Sequence, residues 1–179
     1  MADSTKAAGW LPPEEYVRTI ANATMYGCLY FTDTRGRPLG LRSTIDPDPW
    51  QWPGGNTDKG ETPWETAVRE CKEETGIAFR GECRLIGMNF APAGGGWPLC
   101  RVGFVFDGGT LTDAQLDAIV LDPAEHTEWR VLTIDQWRTV MDPLTFDRLA
   151  DTDASRRTST TMYAEHEPVQ CVRPKSLEP

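Results

Sequence analysis

Residues 55–77 read GNTDKGETPWETAVRECKEETGI. Thr62, Pro63 and Glu65 spell a helix start. Thr62 sits at N-cap, Pro63 at N1 where its missing N–H is not needed, and Glu65 at N3 to complete a capping box. Gly76 supplies the stop. At about 100° per residue, Glu70, Glu73 and Glu74 fall within an arc of about 100°. Trp64, Ala67, Val68, Cys71 and Thr75 take the neighbouring arc, and Glu65, Arg69 and Lys72 the outer one. Such a helix buries its apolar stripe while the glutamates border it and face a cleft. Three carboxylates this close repel one another, so at neutral pH one takes a proton or a cation neutralises them. Hard oxygen donors select Mg²⁺, with Mn²⁺ as substitute, over zinc. A solvated acidic face paired with Lys and Arg is the alternative from these residues alone.

The whole segment resembles the Nudix box, G-x5-E-x7-R-E-U-x-E-E-x-G-U with U apolar. The matching residues are Gly55, Glu61, Arg69, Glu70, Cys71, Glu73, Glu74, Gly76 and Ile77. A chance match has a probability on the order of 10⁻⁹ per starting position, which removes coincidence as a rival. The resemblance implies an α/β/α sandwich with a mixed β-sheet and a Mg²⁺-dependent hydrolase of pyrophosphate linkages. It implies metal ligation by Glu70, Glu73 and Glu74 with the Gly54 carbonyl, and a supporting Glu61–Arg69 ion pair. A simple surface pair of Arg69 with Glu65 competes with the last assignment. A further carboxylate outside the box often completes such a site, and Glu125 and Glu128 are the candidates. His126 between them reads as a solvated loop residue, with a role as base the alternative.

Outward from this helix, 25–31 is a strand candidate. It leads through the turn signal Asp33-Thr34-Arg35-Gly36 into a second extended segment at 39–43, which reads as a hairpin. Asp46-Pro47-Asp48-Pro49 breaks the chain before Trp50-Gln51-Trp52-Pro53-Gly54-Gly55. Residues 84–90 and 99–106 read as strands, with Cys100, Val102, Phe104 and Phe106 alternating onto one face. Helices are expected near 112–119 and 135–141, and a short strand near 129–132. This mixture without a strict βαβ repeat predicts an α+β fold, a mixed sheet between helices. The chain divides into an N-terminal extension (1–20), one domain (21–150) and a polar, loosely held tail (151–179).

The 179 residues suit one compact domain, and 39% hydrophobic with 25% charged residues is ordinary globular composition. No apolar run is long enough to span a bilayer, so no membrane partner is expected. The first residues lack the apolar core of a secretory signal, which makes the cytoplasm the default. Five cysteines without C-x-x-C spacing read as reduced thiols. A net charge of −9 without clustered Lys and Arg argues against a nucleic-acid polymer and leaves a small anionic substrate. Pro92, fifteen residues beyond Ile77, resembles a proline placement in members that cleave ADP-ribose. That favours a nucleoside diphosphate linked to another moiety over a nucleoside triphosphate. Trp52 reads as core, while Trp50 and Trp97 are candidates to stack on a base. A catalytically silent ligand-binding module is the rival of another class, disfavoured by the intact glutamate set. The resemblance also admits a homodimer.

Overall fold

The computed structural model describes residues 9–44, 50–94 and 97–165. In chain order these form α1 (Pro13–Tyr16), β1 (Ala23–Asp33), β2 (Leu39–Ser43), β3 (Trp50–Gln51), β4 (Gly54–Asn56) and α2 (Pro63–Thr75). There follow β5 (Leu85–Ala91), β6 (Cys100–Leu111), α3 (Asp113–Asp117), β7 (His126–Val131), α4 (Ile134–Trp137), α5 (Pro143–Thr158) and β8 (Met162–Glu165). Five strands build one mixed sheet in the order β4-β1-β6-β5-β8. β1 is parallel to β6, β5 is parallel to β8, and the other pairs are antiparallel. A second, antiparallel sheet has the order β3-β2-β7. The expected mixed α+β architecture is present. No helix among the described residues is long and apolar enough to cross a membrane.

β1 organises the core, because its alternation sends successive side chains to opposite faces. Leu29 and Phe31 pack with Ala67 and Cys71 of α2 and with Phe106 of β6. Cys28 and Tyr30 pack with Trp52 and with Phe146 and Leu149 of α5. The sheet therefore lies between α2 and α5. Gly27 is required by this arrangement, since an added Cβ would overlap the Pro63 carbonyl at the start of α2. The first turn of the helix rests on bare strand backbone.

Two expectations change. The turn at 33–36 exists, with Gly36 at positive φ and the Asp33 carboxylate accepting the N–H groups of Arg35 and Arg37. It does not close a hairpin. Both edges of β1 are taken by β4 and β6, while β2 pairs with β3 and β7 in the other sheet. Only an isolated bridge from Thr32 to Pro38 joins the two, and Pro38 has no N–H with which to extend a ladder.

The second change concerns the tail. Residues 151–158 complete α5 and 162–165 form β8, so the expected boundary at 150 cuts a helix. The buried face of α5 beyond Leu149 is polar, consisting of Thr152, Asp153 and Ser155, and a hydropathy reading passes over it. The Tyr30 hydroxyl donates to Asp153 Oδ1 at 2.9 Å and Arg157 pairs with the same carboxylate at 2.9 Å, which makes that burial tolerable. Residues 166–179 lie outside the described residues, as do Asp46-Pro47-Asp48-Pro49.

Candidate active site

α2 starts and stops where its sequence says. The Glu65 N–H donates to Thr62 Oγ1 at 3.2 Å, the Thr62 N–H donates to Glu65 Oε2 at 2.8 Å, and Gly76 ends the helix at φ 74°. These caps fix the rotation of the helix and so the direction of its glutamates. Glu74 faces the sheet and is only 2% exposed. Its Oε2 accepts the Gly54 N–H at 2.8 Å. Gly54 is held close to β1, where a Cβ would overlap Cys28. Burial pushes the Glu74 carboxyl up to about 8, and the negative charges of Glu70, Glu125 and Glu73 add to the rise against the opposing hydrogen bond from Gly54.

Arg69 is not on an outer, solvated arc. It folds over the carboxylates as a shared donor. Its Nε and one terminal nitrogen fork onto Glu61 at 2.8 and 3.0 Å, and the other terminal nitrogen donates to Glu70 at 2.9 Å and Glu73 at 2.8 Å. Glu65 is engaged by Thr62 instead. The Arg69 fork and the Thr66 hydroxyl hold the Glu61 carboxyl down at about 2. Glu70 has its pKa raised by burial, opposed by Arg69. An added Cβ on Gly55 would overlap the Glu70 carboxylate, so this glycine lets Glu70 tuck beneath the loop.

A second face approaches from the start of β7. One ligand atom each of Glu74, Glu125 and His126 lies within 4.8 Å of the other two. Glu125 is exposed. His126 is 2% exposed, which replaces the solvated loop residue expected from sequence. Its Nε2 lies 2.9 Å from Gln51 Nε2 and 3.7 Å from Glu74 Oε1, and its buried Nδ1 has no hydrogen-bond partner. Burial lowers its pKa and keeps the ring neutral. Glu128 goes elsewhere: it pairs with Arg42 and Arg130 at 2.9 Å each, and these partners lower its pKa. The structure therefore brings Glu125 into the cluster and leaves Glu128 outside it. The donor set fits a divalent cation, since a buried carboxylate short of positive charge gains from one.

A family model described as NUDIX domain matches residues 21–152. The chain belongs to the Nudix family. An RNA pyrophosphohydrolase of Novosphingobium aromaticivorans is 35% identical over 119 residues, covering 55% of this chain and 70% of that protein. Another, of Erythrobacter litoralis, is 29% identical over 106 residues, or 49% of this chain and 60% of its own length. The chain thus spans less than two thirds of that relative. Among solved structures, a MutT protein of Methanosarcina mazei Go1 superimposes with a TM-score of 0.61 at 20% identity, covering 78% of this chain and 96% of that one. A UDP-X diphosphatase does so with 0.60 at 20% identity, covering 86% and 75%. At these identities the superpositions establish the fold.

Beside the carboxylates, the Nudix fold here opens a cavity of about 500 Å³, a size suited to a small molecule. Tyr26, Gln51, Asn89, Trp97, Arg101 and Arg148 are among its lining residues. Trp97 is 38% exposed, with its indole N–H on Thr24 Oγ1 at 3.1 Å, and stands at the cavity wall. Trp50 also reaches the cavity but is 6% exposed, edge-on to Trp137 at 5.0 Å, with Arg130 5.0 Å over its ring. It is core, as Trp52 is, and not a free stacking platform. Ala91 lines the cavity and Pro92 does not. Sequence reading missed Gln51, Tyr26 and Arg148. Gln51 carried the only available signal, as a polar residue set between two tryptophans.

Proposed function

We propose that this protein is a divalent-metal-dependent pyrophosphohydrolase acting on a small, nucleotide-like substrate. The observation that carries the reading is the burial of Glu74 among Glu70, Glu73 and Glu125 with only one backbone N–H in compensation. Glu70, Glu73 and Glu74, with the Gly54 carbonyl, would hold Mg²⁺ or Mn²⁺. When bound, the cation supplies a Lewis acid for phosphate oxygens and lowers the pKa of a ligated water. Arg69, locked to Glu61, keeps Glu70 and Glu73 aligned. Glu125, exposed and grouped with Glu74 and His126, would accept the proton of the attacking water. His126 and Gln51 hold the floor of the site. Intact glutamates weigh against a silent binding module.

By the family resemblance of the Pro92 placement alone, since Pro92 lies outside the cavity lining, the substrate is a nucleoside diphosphate linked to another moiety, such as ADP-ribose, and a nucleoside triphosphate is the alternative. The relatives named RNA pyrophosphohydrolase add the 5′ end of an RNA, which carries the same anhydride, despite the net charge of −9. A cytoplasmic, homodimeric enzyme completes the proposal, with sedimentation as the check on the dimer. The deciding assay incubates the protein with these three substrate classes under Mg²⁺, Mn²⁺ or EDTA and identifies the phosphates released. Glu73→Gln and Glu74→Gln should each lower turnover by at least about a hundredfold while the fold survives. A variant that keeps near-wild-type turnover at saturating Mg²⁺ removes that residue from the ligand set.

A further inference from the structure

Two arginines of the cleft lack a carboxylate. Several other arginines of this acidic chain are paired, Arg69, Arg84, Arg130 and Arg156 among them. Arg101 on β6 and Arg148 on α5 both line the cavity, and among the described residues neither forms an ion pair. Arg148 lies 4.8 Å over the ring of buried Trp52, and its Nε is buried without a hydrogen-bond partner. A guanidinium stacked on an indole keeps its in-plane N–H fork for an anion.

The location ties this fork to the carboxylates. Trp52 lies two residues before Gly54, whose N–H holds Glu74. Tyr26 lines the same cavity with its hydroxyl on the Trp52 carbonyl at 3.5 Å. It feels the negative charge of Glu74 and Glu70 as well as the positive charge of Arg148. A ligand seated against Tyr26 thus meets an uncompensated cation in the cavity wall, with the acidic cluster acting on the same tyrosine.

We propose that the cleft contains a second anion subsite, built by Arg148 with Arg101, for a phosphoryl group additional to the two that flank the cleaved bond. The subsite takes its meaning from the pyrophosphohydrolase reading, but its occupancy requires no turnover. The extra phosphoryl group has two chemical sources: the third phosphate of a linear chain, or a phosphate on the ribose. Calorimetry with non-hydrolysable α,β-methylene nucleotides in Mg²⁺ separates them, using the nucleoside diphosphate, the triphosphate and the 3′-phosphorylated diphosphate. Wild-type protein should bind one of the triply phosphorylated ligands about ten- to a hundredfold tighter than the diphosphate, the gain expected of a charge-assisted fork. Arg148→Gln should erase that preference and leave diphosphate affinity within about threefold, while Arg148→Lys keeps part of it. Melting curves confirm that the variants fold.

No preference in the wild-type protein, a preference that survives Arg148→Gln, or an equal loss for all three ligands overturns the subsite. The last outcome would make Arg148 a packing partner of Trp52. If the Arg148-dependent preference is present and no substrate is cleaved, the hydrolase reading falls and the subsite stands.

Discussion

α2 and α5 cover opposite faces of one sheet, and each buries a carboxylate, but the two carboxylates have opposite fates. Asp153 on α5 receives the Tyr30 hydroxyl and pairs with Arg157, so its charge is answered within the chain. Glu74 on α2 receives one backbone N–H and is otherwise faced by carboxylates and a neutral imidazole. A satisfied buried charge holds a structure together, whereas an unanswered one is a strain that persists where a ligand relieves it. The difference separates a buried carboxylate that serves the fold from one that serves the proposed metal site.

The largest effect expected from this contrast is on α5. Ending the chain before Asp151 removes the second half of the helix and all of β8, and leaves the buried Tyr30 hydroxyl without Asp153. Loss of a cooperative melt is expected. A shortened protein melting within a few degrees of the full chain would show that the polar face of α5 does not hold the sheet.

A smaller effect is expected at Arg69. Arg69→Ala frees Glu61, Glu70 and Glu73 from their shared donor, and turnover should fall about 10- to 100-fold with a higher Mg²⁺ requirement. Arg69→Lys should recover little, because an ammonium cannot reproduce the fork. An unchanged Mg²⁺ dependence in Arg69→Ala would detach Arg69 from the site.

The smallest effect is on the pH dependence of metal-free protein. The folded-state pKa of Glu74 is raised from 4.5 to about 8, so the fold favours its protonated form. That contribution to stability is complete below about pH 4.5 and is lost as pH rises through about 8. Glu74→Gln should therefore melt several degrees above wild type at pH 8.5, with the gap closing toward pH 5. Asp153→Asn should instead melt lower at both pH values. Parallel shifts in the two variants would erase the distinction between the helices.

α2 was legible because its information is local: Thr62, Glu65 and Gly76 fix its ends and the heptad-like spacing of Glu70, Glu73 and Glu74 fixes its face. β6 was legible from its alternation, and β1 from its hydrophobic run ahead of a turn signal. What escaped depends on which distant strand a segment meets. The turn chemistry of Asp33 to Gly36 is local and present in the structure, but no local signal says that β2 turns away to join β7. That pairing buries His126 beside Gln51 and directs Glu128 to Arg42, two outcomes a loop reading does not contain. The second half of α5 escaped because its inward residues beyond Leu149, namely Thr152, Asp153 and Ser155, are polar, and the Tyr30 hydroxyl that marks Asp153 as core is distant in sequence.

The parallel pairing of β8 with β5 sets a schedule for the nascent chain. The residues of the acidic cluster have all been synthesised once His126 is made, whereas the Arg148 wall and the strand that closes the β5 edge come later, at 143–158 and 162–165. At about 5–20 residues per second, that gap leaves an open sheet edge and a half-walled cleft for seconds on the ribosome. The four-residue β8 therefore replaces the seven-residue edge of β5 with a shorter one, which offers other chains less open backbone to pair with.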